Sequence, residues 1–162
     1  MSRHASVSVK VLKDIDPKAL DRLRQRLVDA VKVVNVGVPA GRKEKDGTPV
    51  AMVAAVHEFG SPSQGIPERP FLRVSIEANK PKYAKISAAG LRQILRGKSS
   101  TDAVLAVMGE AAVGDVKQRI RSGDFTPLKP ATIKRKGSSR PLIDTGQMEQ
   151  SIAWELGDKN HD

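Results

Sequence analysis

Apolar and polar positions alternate strictly over residues 6–12, where Val7, Val9 and Val11 are separated by Ser8 and Lys10. A period of two predicts a half-buried strand. A second strand is expected over 33–38, a β-branched run stopped by Pro39, and a third over 151–156, Ser-Ile-Ala-Trp-Glu-Leu. Between them the period lengthens. Leu20, Leu23, Leu27 and Val31 form one stripe of a helix over 17–32, opened by Asp16 as N-cap and Pro17 in the first turn. A short helix is expected over 49–59, with Val50, Val53, Ala54, Val56 and Phe59 against the core and Gly60 ending it. Residues 71–96 read as helical, with Tyr83, Ile86, Leu91, Ile94 and Leu95 as the apolar stripe and Pro81 as a kink or boundary. Thr101 or Asp102 is expected to cap a helix over 102–121 that carries Val104, Val107, Met108, Ala111, Val116 and Ile120 at helical spacing. Its Ala106, Ala111, Ala112 and Gly114 are small enough for another helix, of the same chain or of a neighbouring subunit, to pack closely. A last helix of two turns is expected from Pro130 to Gly137. The pattern predicts an α+β fold: a small, mainly antiparallel sheet packed against several helices, with extended loops.

Length and composition narrow this picture. A chain of 162 residues suits one domain, 1–162, burying roughly 70% of the surface of its unfolded chain. Aromatics are 3% of residues, so the core is built from Val, Leu, Ile and Ala, and a base-stacking platform is disfavoured. Gly41, Gly47 and Pro49, then Pro62, Gly65, Pro67 and Pro70, predict mobile loops near 40–49 and 61–70. The longest apolar run, Val50 to Val56, has seven residues where a membrane span needs roughly twenty, and no signal peptide is recognisable, so a cytoplasmic protein without membrane contact is expected.

Charge is unevenly placed. The net charge is +10, with eight Lys/Arg against one acid from Arg69 to Lys98, and eight against one again from Lys117 to Arg140. After Pro141 the sign reverses into a short acidic tail. Such polarity fits a polyanionic partner or a head-to-tail contact with a second copy.

Candidate chemistry is sparse. There is no Cys, which removes thiol nucleophiles, disulfides and Cys-based metal sites. His57-Glu58 fails the zincin pattern because residue 61 is Ser61, and His4 and His161 lie near the termini. A local polar or interface role is expected for His57. Gly41-Arg42-Lys43 lacks the remainder of a phosphate-cradling loop. Asp144-Thr145-Gly146 occurs once, ahead of a short helix, and reads as a capping turn rather than as an aspartic protease triplet. No catalytic residue, cofactor or metal is expected.

One ordered combination of motifs is more specific. Leu128, Lys129, Pro130, Thr132, Ile133, Lys136 and Gly137 are followed by Pro141, Leu142, Asp144, Thr145 and Gly146, then by Ser151 and Ile152. Upstream stand Val36-Gly37-Val38-Pro39, the run from Ala51 to Gly60, and Ile66-Pro67-Glu68-Arg69-Pro70-Phe71-Leu72-Arg73. In this order the blocks resemble the virion-morphogenesis and tail-completion proteins of tailed bacteriophages. The resemblance implies a structural virion subunit made in the host cytoplasm, which forms a ring at the head-proximal end of the tail. There it would enable head–tail joining beside the tail terminator or tube and the head connector, leaving a passage for DNA. Family members continue with further β-structure where this chain has six residues after Leu156, leaving the sheet open to completion by another subunit.

On this reading the 40–49 loop, through Arg42 and Lys43, and the 61–73 segment contact neighbouring subunits or the tail terminator. Arg69 and Arg73 are candidates for intersubunit ion pairs because a guanidinium fork binds carboxylates bidentately. Phe71 either pins its loop to the core or plugs a neighbour. Lys134, Arg135, Lys136 and Arg140 are expected to face an acidic partner or the DNA path. The alternatives are a free non-specific DNA-binding protein and another connector such as a tail terminator.

Overall fold

Val33, Val34 and Val36 favour extended backbone, and the strand they build, β1 (Lys32–Gly37), stops just before Pro39, which has no N–H to offer a ladder. The computed structural model describes residues 32–136, 139, 141, 142 and 146–158, with 18, 21, 22, 24 and 25 further upstream. Those five are helical, inside the helix expected over 17–32, while the strand expected over 6–12 lies outside the described residues.

β1 pairs antiparallel with β2 (Ala153–Asp158), Val36 opposite Trp154 and Val34 opposite Leu156. Opposed residues share a face. On the other face Asn35 and Glu155 are exposed. The last strand was expected to start at Ser151, but Ser151 instead closes a short helix and β2 begins two residues later. Its hydroxyl donates to the Gln147 carbonyl one turn back at 2.7 Å, which holds the backbone helical.

Helix α1 (Val50–Phe59) buries Val50 and Ala54 and ends at Gly60, whose φ of 73° is open to glycine. Phe59, expected against the core, is 69% exposed. Positions 50, 54 and 58 form the inward row of this helix, so the residue turned inside is Glu58, and Phe59 lies about 100° round the axis from it.

The bulk of the fold is a hairpin of α2 (Leu72–Leu95) and α3 (Thr101–Ser122). The helices run antiparallel: Tyr83 meets Asp115, and Gly90 meets Val104 so closely that a Cβ on Gly90 would lie 2.2 Å from a Val104 methyl. α2 continues across Pro81, the expected kink or boundary. The proline costs the Glu77 carbonyl its helical partner, but both residues are exposed, where that carbonyl can be hydrated. Leu91 and Leu95, expected on the apolar stripe, are nearly half exposed, and Ile94 carries the burial there. The cap of α3 is Ser100, one residue before the expected Thr101 or Asp102, and its hydroxyl accepts from Ala103 N at 3.2 Å. Asp102 instead ion-pairs with Lys32 at 2.7 Å, tying the start of α3 to β1.

On its other side α3 contacts the sheet. A Cβ on Gly109 would lie 2.3 Å from the Trp154 indole, whose Nε1 donates to Glu110 at 2.8 Å. Close approach was expected at Ala106, Ala111, Ala112 and Gly114. Ala112 is buried, whereas Gly114 has nothing within 4 Å of its Cβ position. The core joins Val50 of α1, Phe71, Val116 and Ile120 of α3, and Met148 and Ile152 near the C-terminal end. Two short helices complete the described chain, α4 (Pro130–Lys136), opened by Pro130, and α5 (Gln147–Ser151), which follows Gly146 at φ 76°. A two-stranded antiparallel sheet with segregated helices makes the fold α+β. No helix among the described residues is long and apolar enough to cross a membrane.

Candidate functional site

Glu58 is 4% exposed at the end of α1, directly beneath the start of α2. Its Oε2 accepts from the backbone N–H of Phe71 and of Leu72, both at 2.9 Å, and its Oε1 from that of Arg73 at 3.0 Å. Three N–H groups that a helix start leaves unpaired therefore converge on one carboxylate. α2 has no capping side chain of its own and no acid in its first turn. Both oxygens of Glu58 are engaged by backbone, so the His57-Glu58 pair anchors a helix and presents no carboxylate for acid or base chemistry.

The anchor fixes the segment between the helices. Arg69 donates its backbone N–H to the His57 carbonyl at 2.7 Å. Its guanidinium, pulled below the usual pKa range by burial, turns towards the other motif block. Nε donates to the Thr126 carbonyl at 2.8 Å and Nη2 to the Pro127 carbonyl at 3.2 Å. Arg69 is 4% exposed, so in place of the intersubunit ion pair expected of it stands an internal staple: its Nε and Nη2 are bonded to carbonyls of its own chain. Lys129 adds a second tie by donating Nζ to the Gly65 carbonyl at 3.3 Å. Phe71 is 1% exposed and pins the loop to the core, which rules out the plug.

Arg73 is half exposed. It ion-pairs with Glu68 and lies over the Phe59 ring, 5.7 Å from its centroid. Arg119 stacks likewise on Phe125 at 5.0 Å, bracing the start of the 125–130 loop against α3. The 40–49 loop is a closed turn: Lys43 bridges Pro49, Glu44 N donates to Thr48 O at 2.8 Å, and Gln147 of α5 donates to the Lys43 carbonyl at 2.8 Å. The Arg42 and Lys43 side chains are exposed at its rim. Lys134 is exposed on α4; the Arg135 and Lys136 side chains, and Arg140, Asp144 and Thr145, lie outside the described residues.

Between β1 and α2 runs a cleft of about 510 Å³ with Val34, Val36, Leu72 and Ile76 on its walls and Phe59, Arg73 and Glu77 at its mouth. Its one buried carboxylate, Glu58, is already bonded to three backbone N–H groups. Among the described residues no three His, Asp or Glu side chains gather as a metal site.

The structure therefore unites the two motif blocks through Arg69 and Lys129 and leaves Arg42, Lys43, Arg73 and Lys134 on the surface. Sequence reasoning missed Glu58. The signal was present: an acid eight residues after Val50, on the buried row of α1, facing a helix start with no acid of its own. Gly90 and Gly109 were missed because a glycine's role in close packing depends on what lies opposite. No family model, curated protein or solved structure gives a significant match to this chain.

Proposed function

We propose that this chain is a structural virion subunit of a tailed phage, a tail-completion or neck component that acts as copies in a ring at the head-proximal end of the tail. The observation that carries the reading is the meeting of the two motif blocks. Residues 57–73 and 125–136, which contain part of the motifs that carry the resemblance, are bonded to each other through Arg69 and Lys129. The joined segments are tied down by the buried carboxylate of Glu58 and the buried guanidinium of Arg69. Partners would be neighbouring copies, the tail terminator or tube, and the head connector, and the work would be geometric fit with no bond made or broken. Arg42, Lys43, Arg73 and Lys134, all exposed, are the described side chains that would touch them.

The test is incorporation. The double variant Lys134→Glu, Arg135→Glu should remain folded yet be missing from purified particles, which then lack joined heads. Unchanged incorporation and infectivity, or particles that contain none of the wild-type chain, would overturn the reading.

A further inference from the structure

The strongest charge on the described surface belongs to α2, outside the motif blocks. Lys85, Arg92 and Arg96 recur at spacings of seven and four, the repeat that keeps side chains on one helical face. All three are exposed, as is Lys98 in the turn that follows. No acid among the described residues pairs with any of the four, whereas Lys80 is paired with Glu77 and Lys82 with Asp115. On the face between Lys85 and Arg92 the exposed residues are Ala88 and Ala89, with the exposed Leu91 and Leu95 to one side of the stripe and Gln93 to the other.

We infer that this stripe of α2 is a contact surface for the backbone of duplex DNA, bound without regard to sequence. Lys85 to Arg96 spans about 16 Å of helix. A duplex laid along it presents one charge per ~1.7 Å of axis, on the order of ten phosphates over that length. An acidic protein partner fits less well. Protein interfaces centre on aromatic and apolar residues flanked by charge, whereas here the face between Lys85 and Arg92 carries only alanines and the half-exposed Leu91 and Leu95 stand beside the cations, not among them. Favourable placement of cations at a helix C-terminus accounts for Arg92 and Arg96 in part, but the effect fades within the last turn and leaves Lys85 unexplained. The aromatic residues lie elsewhere, Phe71 in the core and Tyr83 against Asp115, so no base is stacked on the stripe.

The inference adds to the neck reading a specific wall for the DNA path, and it is tested independently on the isolated protein. Affinity for two short labelled duplexes of unrelated sequence is measured by anisotropy across a salt series. The wild type should bind both equally at low salt and weaken steeply as salt rises. The variant Lys85→Gln, Arg92→Gln, Arg96→Gln should lower the slope of log K against log salt by about 2.7, since each phosphate contact contributes about 0.9. Should that variant not fold, Arg92→Gln alone reads a change of about 0.9. An unchanged slope, a preference for one duplex, or no binding at low salt overturns the proposal. Absence of the chain from particles sinks the neck reading and leaves the slope result standing.

Discussion

Replacing Glu58 with Gln preserves the side chain's length and puts an amide nitrogen where one carboxylate oxygen stands. Three backbone N–H groups now end on that carboxylate, and the side chain is 6% exposed, so little water can replace it. At least one amide, Phe71 N or Arg73 N, is left facing another donor. An unsatisfied buried donor costs about 1–3 kcal/mol. Loss of the negative charge at the start of α2 removes about 0.3–1 kcal/mol more, and up to ~2 in partly buried geometry. The sum is about 1.3–4 kcal/mol, or roughly 3–16 °C in Tm for a chain of this size. Urea unfolding followed by circular dichroism measures it, and hydrogen exchange at residues 71–73 shows where it acts. Glu68→Gln is the control, because it removes only the exposed pair with Arg73 and should cost under about 1 kcal/mol. If Glu58→Gln lies within about 0.5 kcal/mol of wild type, the carboxylate is not what holds α2 to α1.

Three further outcomes are expected. Gly109→Ala pushes a methyl into the Trp154 ring and should destabilise by about 1–3 kcal/mol with a shifted emission from the single tryptophan, while Gly114→Ala, into open space in the same helix, should stabilise by about 0.5–1 kcal/mol. Arg69→Lys cannot reach both carbonyls with a fork, so proteolysis or hydrogen exchange should show 123–129 opening before the rest of the chain unfolds. The single tyrosine, Tyr83, has its pKa raised by burial, then by its hydrogen bond to Asp115 and by that carboxylate's charge. A raised folded pKa means that its contribution is fully present below the unfolded value near 10 and is lost as pH climbs above it. Phenolate absorbance should therefore appear only above that pH and together with unfolding, and Tyr83→Phe should flatten the alkaline loss of stability; ionisation near pH 10 in a folded chain would refute this.

Elements whose burial repeats along their own sequence were legible. β1, α1, α3 and α4 fall where alternation, helical spacing or a first-turn proline places them, within a residue or two. What failed depends on partners distant in sequence. Phe59 reads as core until Glu58 takes the inward row. Pro81 reads as a break until tertiary packing of α2 on α3 outweighs one lost hydrogen bond. Ser151-Ile152 reads as strand until Gln147 offers a carbonyl to the serine. Arg69 reads as a surface cation because nothing near it in sequence announces that Thr126 and Pro127 will present two carbonyls.

That last case alters how the motif blocks bear on function. Arg69 and Phe71 belong to the stretch that carries the resemblance, and both are spent on holding the fold together; Lys129, in the other block, joins the same framework. A pattern of this kind specifies the shape of a surface more than its contacts. On the proposed reading, partner choice would then come from exposed residues outside the framework, such as Arg42 and Lys43 on the closed turn, Lys134 on α4 and the stripe along α2. Charge changes there alter recognition while stability stays within about 0.5 kcal/mol, whereas changes at Glu58 or Arg69 alter both together.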